Sequence, residues 1–142
     1  DLWEVTTSTT SSGSPSDLND GNENTNWLWQ WSNYQLPENI TYTLTDQSQT
    51  ATIESIDVYA YNTGNPSWLG AKTIEVQVQN GDAWNTIQTY NVALRDDGRA
   101  DTDGYTIELD SPVQCKAIRL SVTEVYSDGL SFGEIYMNGE LN

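Results

Sequence analysis

Between Asp17 and Trp27 the chain reads Asp-Leu-Asn-Asp-Gly-Asn-Glu-Asn-Thr-Asn-Trp, a run in which nearly every side chain offers an oxygen. Carboxylates, amides and a hydroxyl around a turn glycine are the donor set of a hard cation such as calcium. That ion takes about six to eight oxygens, several of them carbonyls of tightly curved backbone. The spacing is not that of an EF-hand and no helical pattern flanks it. Composition therefore leaves two readings open, a calcium loop or a solvated acidic loop.

A second group of residues is aromatic. Trp27, Trp29 and Trp31 alternate, so an extended backbone puts them on one face. Tyr59, Tyr61, Asn62 and Trp68 cluster further on, and Tyr126 precedes Asp128-Gly129. Exposed aromatic faces beside planar hydrogen-bonding groups are what a sugar ring requires, with its apolar C–H face bordered by hydroxyls. For each tyrosine the alternative is a ring packed on its sheet neighbours. Two of the three arginines, Arg95 and Arg99, fall in an acidic stretch ending at Asp103-Gly104. That stretch reads as a hydrogen-bonding site for sugar, as a second calcium loop, or as a solvated loop with internal ion pairs.

What is missing narrows the chemistry. The 142 residues contain no His, so neither a Ser-His nor a Cys-His nucleophile can be assembled. A pair of carboxylates of glycosidase type remains open among 21 acids, but nothing marks one pair above another. The expectation is a binding domain and not an enzyme. A net charge of −16 is wrong for nucleic acid and for anionic membranes, which both demand clustered Lys and Arg. It points to neutral ligands and to cations. Cys115 is the lone cysteine, so no disulfide forms within the chain; it reads as a small buried hydrophobe. No apolar run approaches the ~18 residues of a membrane span. Six Trp and eight Tyr speak against disorder.

The elements that must position these groups are strands. Apolar residues alternate with polar ones at Ile40, Tyr42 and Leu44; at Ile56, Val58 and Ala60; and at Ile74, Val76 and Val78. The pattern recurs at Tyr105, Ile107 and Leu109, at Ile118, Leu120 and Val122, and at Ile135 and Met137. Asn80-Gly81 marks a hairpin, and Asp110-Ser111-Pro112 and Asp128-Gly129 mark further breaks. Many short strands with one apolar face predict an all-β fold, a β-sandwich or jelly roll, in one domain over residues 1–142. Residues 11–37, 61–70 and 95–103 are long, irregular and aromatic, which is where function sits on a rigid sandwich. Asn39-Ile40-Thr41 is a sequon, but it opens a predicted strand and carries little weight.

Asp20-Gly21-Asn22 followed by Thr25 and Trp27 resembles the early signature of the F5/8 type C (discoidin) domains, which include family 32 carbohydrate-binding modules and fucose-binding lectins. Further pieces follow in the family's order: Ile40–Leu44, Val76–Trp84, Ala117–Leu120 and Phe132–Tyr136. The resemblance implies a galactose-binding-domain-like jelly roll. It also implies a structural calcium joining the early loop to the last strand. Asp20 and Glu134 would supply carboxylate oxygens, Thr25 its hydroxyl and carbonyl, and Asp17, Asn22 and Gly133 backbone carbonyls. Trp27, Trp84 and Arg119 match framework positions. Leu28 stands where several family lectins carry a sugar-binding His, which puts their usual galactose or fucose specificity in doubt.

The resulting expectation is a secreted, non-catalytic module that binds a neutral carbohydrate and serves as a monomeric part of a larger carbohydrate-active enzyme. Its binding residues would come from Trp29, Trp31, Tyr59, Tyr61, Asn62, Trp68, Arg95, Arg99 and Tyr126. The alternative is a discoidin-type domain that recognises protein, since Trp and Tyr also anchor protein interfaces.

Overall fold

The computed structural model describes residues 2–8, 18–19, 27–30, 36–59, 71–93, 104–126 and 129–142, and for 27–30, 129 and 131 the backbone only. Ten strands account for nearly all of them: β1 (Trp3–Thr7), β2 (Trp27–Gln30), β3 (Glu38–Leu44), β4 (Ala51–Tyr59), β5 (Ala71–Asn80), β6 (Ala83–Asn91), β7 (Tyr105–Cys115), β8 (Ala117–Val125), β9 (Gly129–Phe132) and β10 (Glu134–Leu141). A five-stranded sheet, β1-β3-β8-β5-β6, faces a three-stranded one, β10-β4-β7, and β2 pairs with β9. Every strand pairing is antiparallel.

The alternation read from the sequence becomes the interior. Ile40, Tyr42 and Leu44 on β3, Ile74 and Val76 on β5, and Ile118, Leu120 and Val122 on β8 are buried from one sheet. Ile53, Ile56 and Val58 on β4, Ile107 on β7 and Ile135 on β10 meet them from the other. Burying each such aliphatic side chain contributes about 1.5–3 kcal/mol, so this layer carries the fold. On β4 the buried positions step by three from Ile53 to Ile56. An extra residue must be absorbed there if both are to face inward, and the register with β10 and with β7 shifts at Glu54.

Two turn readings need correction. Asp110-Ser111-Pro112 does not end a strand, because β7 runs through it. The register places Glu108 against Ser55 and Val113 against Ile53, so the turn-forming residues are taken up as a bulge on exposed backbone. The hairpin at Asn80-Gly81 exists, displaced by one residue. Asn80 pairs with Ala83, and Gly81 and Asp82 connect the strands with Gly81 at φ 66°.

At one edge the sandwich is sealed by side chains. The Gln88 amide donates to the Glu108 carbonyl at 2.6 Å and accepts from the Asp110 N–H at 2.9 Å, standing in for a neighbouring strand. Tyr90 and Tyr105 stack beside it at 5.4 Å.

Gly139, at the β10 register shift, has no room for a side chain, since a Cβ there would overlap the Thr52 carbonyl. Gly139→Ala is expected to lower the unfolding free energy by about 1–3 kcal/mol in urea denaturation, the scale of forced overpacking. An unchanged midpoint would show that the strands part there without cost.

Candidate functional site

The antiparallel order sorts the connections between two poles. Segments 60–70 (β4 to β5), 94–103 (β6 to β7) and 127–128 (β8 to β9) all join strand ends at one pole, and residues 31–35 enter β3 there. Among the described residues the links at the opposite pole are short: 45–50, Gly81–Asp82 and Lys116. Two of the long stretches singled out by sequence, 61–70 and 95–103, therefore join strand ends at the same pole.

At that pole Tyr59 ends β4 half-buried, in the opposite parity to Val58, as the alternation required. Its ring meets Tyr136 edge-on at 5.8 Å. Only a glycine fits beneath it, because a Cβ on Gly104 would lie 2.9 Å from Cδ1 of Tyr59. Next to it on the outer face of the sheet, the Asp57 carboxylate accepts from Thr106 Oγ1 at 2.5 Å and from Asn138 Nδ2 at 3.0 Å.

Tyr59 also abuts the expected metal ligands. The Gly133 N–H donates to the Tyr59 carbonyl at 2.8 Å, and Glu134 is the register partner of Tyr59. Glu134 is fully buried. The sequence suggested an aromatic site and a metal site separately; the structure brings Tyr59, Gly133 and Glu134 to one place.

The early segment is fastened to the same region. The Tyr42 hydroxyl donates to the Leu18 carbonyl at 2.9 Å and lies 3.4 Å from that of Ile135. Asn19 Nδ2 donates to the Trp3 carbonyl at 2.8 Å. Residues next to the acidic run and the residue after Glu134 thus share one buried hydroxyl. Burial, and then the negative charge of Glu134, push the Tyr42 hydroxyl well above its ordinary range.

Tyr126 is half-buried at the end of β8. Its hydroxyl donates to the Val92 carbonyl at 2.5 Å, its ring packs on the core, and the Lys72 ammonium lies 5.8 Å from the ring centroid. It pins the end of β8 to the end of β6. Trp84 and Arg119 are framework residues in geometry as well. The guanidinium lies 4.2 Å from the indole, and Arg119 Nε donates to Gln77 Oε1 at 2.7 Å.

Trp27 and Trp29 occupy register positions opposite Phe132 and Leu130 on β2. Trp31, Tyr61, Asn62, Trp68, Arg95, Arg99, Asp17, Asp20, Asn22 and Thr25 lie outside the described residues. Among the described residues there is no group of three acids, His or Cys close enough to hold a metal. Sequence reasoning missed Glu38, a second fully buried carboxylate, which faces inward from the first position of β3. Its parity with Ile40 and Tyr42 was the available signal, but an acid at a strand start is ordinarily solvated.

The described strands define a β-sandwich with its long connections joined at one pole. The family model for the F5/8 type C domain matches residues 4–136, and the chain belongs to that family. No curated protein sequence matches it. Similar solved structures include a family 32 carbohydrate-binding module of C. perfringens NanJ in complex with galactose, 16% identical, TM-score 0.78, covering 99% of this chain and 94% of that one. Another is a module from a family 31 glycoside hydrolase of Clostridium perfringens, 17% identical, TM-score 0.82, covering 98% and 92%. A third, from the same organism, is in complex with GalNAc-β-1,3-galactose, 18% identical, TM-score 0.75, covering 94% and 93%. At these identities the likeness speaks for the fold.

Tyr42→Phe removes the hydroxyl that holds Leu18, and is expected to cost about 1–3 kcal/mol because a buried acceptor loses its donor. Above pH 10 the unfolded chain ionises this hydroxyl while the folded chain keeps it protonated. Stability should fall as pH rises from 10, and less steeply in Tyr42→Phe. Matching pH–stability curves would refute the assignment.

Proposed function

We propose that the chain is a non-catalytic carbohydrate-binding module that takes a neutral glycan at the pole of long connections and holds a structural calcium beside it. The observation that carries the reading is the convergence of 60–70, 94–103 and 127–128 on the pole where Tyr59 stands beside Gly133 and Glu134. Those segments hold Tyr61, Asn62, Trp68, Arg95 and Arg99, and Trp29 and Trp31 come from β2 and the chain after it. The family and the sugar complexes of similar modules support the ligand class. A chain of charge −16 favours uncharged ligands at such a site. The parent would be a secreted carbohydrate-active enzyme, in which this module supplies binding and another domain the chemistry.

Of the six expected ligands Gly133 and Glu134 are described, and the burial of Glu134 supports the ion. Glu134 is a fully buried carboxylate, and buried charges are stabilised by partners or metals. Leu18, beside Asp17 and two residues before Asp20, is held close to Ile135, the residue after Glu134. Asp20 and Glu134 would supply carboxylate oxygens; Thr25, Asp17, Asn22 and Gly133 would complete the shell. When bound, the ion supplies charge neutralisation and a link between the early segment and the last strand. The sugar is left to the aromatic side chains.

Chelation, with metal removal confirmed by elemental analysis, should destabilise the protein by about 3 kcal/mol, or roughly 10 °C in Tm, relative to calcium at a hundredfold its Kd. Glu134→Gln should lose the response to added calcium. A melting curve indifferent to both treatments would remove the ion from the account.

Trp68→Ala should weaken binding to a neutral oligosaccharide by about 1–3 kcal/mol with little change in stability. Binding should be nearly insensitive to salt, because no ion pair forms. Tryptophan fluorescence titration against a panel of soluble glycans measures both. Full affinity in the variant would move the site to the Arg95–Arg99 stretch, and silence across the panel would favour a protein ligand.

A further inference from the structure

The opposite pole, which the loop site does not use, contains a cavity of about 400 Å3, within the range of roughly 300–1,000 Å3 typical of small-molecule sites. Its lining includes Gln47, Thr50, Gln79, Gln114 and Lys116, with the buried Cys115 among them. These residues come from three tight connections and the strand ends beside them, β3 to β4, β5 to β6 and β7 to β8, whose backbones the sheets fix on both sides.

Two features give this cavity a chemical preference. Although the chain carries 21 acids, none of the described lining residues is acidic, and the charge that faces the cavity is Lys116. Lys116 Nζ donates to the Gln47 carbonyl, which holds the ammonium at the wall while its remaining hydrogens stay available. Gln47 in turn donates to the Leu44 carbonyl at 2.6 Å. Asp46 Oδ1 accepts from the Ser48 N–H at 3.0 Å and the Ser48 hydroxyl at 2.6 Å; these bonds, and to a smaller extent the nearby Lys116 charge, hold its carboxyl below the usual range, so Lys116 shares part of its field with Asp46. Gln79 and Gln114 are exposed, and each offers a planar donor and acceptor.

Among the described residues no aromatic ring lines the cavity, so they offer no stacking surface for a sugar face. Neutral hydroxyls would exchange water for amides at little net gain. The interaction that exceeds this is a charge-assisted hydrogen bond from the ammonium. The protein's overall negative charge opposes an anion only over short range, since screening in physiological salt acts over about 8 Å.

We propose that this cavity is a second ligand site, for a single sugar residue bearing a carboxylate, in which Lys116 takes the carboxylate and Gln79 and Gln114 take ring hydroxyls. The inference is independent of the loop site, which takes a neutral ligand by stacking. It assigns the module two recognition poles of different chemistry.

The test is an NMR titration of the 15N-labelled chain with sodium galacturonate, following the side-chain amides of Gln79 and Gln114, with galactose and sodium acetate as controls. Saturable shifts are expected with a Kd of roughly millimolar order. Galactose and acetate should each bind about tenfold more weakly, and 0.5 M NaCl should weaken galacturonate by about the same factor. Lys116→Met, which alters an exposed side chain and should keep a dispersed spectrum, should lose the response. Trp68→Ala should keep it while losing the loop-site ligand, so the two sites fail separately. Equal affinity for galactose or for acetate, the absence of saturable shifts, or full affinity in Lys116→Met would each overturn the proposal.

Discussion

The structure depends on a buried polar junction within a largely apolar sandwich. Tyr42 lies among the core side chains of β3 and places its hydroxyl where Leu18 of the early segment meets the start of β10. Glu134 lies close enough for its charge to oppose ionisation of that hydroxyl, and it is as inaccessible as the isoleucines around it. Polar groups in such a place cost far more unsatisfied than they return when satisfied. The early segment is therefore required to be where it is: without Leu18 the Tyr42 hydroxyl would lose its shorter bond. A calcium ion in the same junction would extend this requirement from hydrogen bonds to metal–oxygen bonds.

From that junction the division of labour between the poles follows. One end of the sandwich is closed by links of a few residues, which leave little room for variation and frame the cavity lined by Gln47, Gln79, Gln114 and Lys116. The other end collects the long connections, with Tyr59 and the Gly133–Glu134 pair at their base. Tyr126 and the Gln88 amide do supporting work there and at the sealed edge, tying β8 to β6 and β6 to β7. Rigid strands with ligand-facing loops are the usual arrangement for a binding domain whose specificity varies while its core does not.

Much of this was legible in the residues. Strict alternation at Ile40–Leu44 and Ile118–Val122 gave the buried faces directly, and Asn80-Gly81 gave the hairpin to within one position. Strands β1 and β6 were harder to see because both lie on sheet edges. Their inward residues are only half-buried, and β6 exposes Ile87 while half-burying Gln88, which blurs the period-two signal. Asp110-Ser111-Pro112 misled because a bulge on exposed backbone uses the same residue types as a turn. The burial of Glu134 and Glu38 could not come from composition, since acids are ordinarily at the surface. For Glu134 only the family resemblance pointed there, and for Glu38 nothing did. The nearness of Tyr59 to Gly133 is a tertiary fact: residues more than seventy positions apart meet only once β4 and β10 have paired.

The central claim is that one junction, with calcium in it, locks the early segment to the last strand. Hydrogen–deuterium exchange of the whole chain, in excess calcium and after chelation, tests it most directly. Calcium should slow exchange together in peptides spanning 17–26 and in those spanning 133–135, while peptides from the Gly81–Asp82 hairpin stay unchanged. Glu134→Gln should abolish both effects at once. Protection confined to one of the two segments, or identical exchange with and without the ion, would contradict the account.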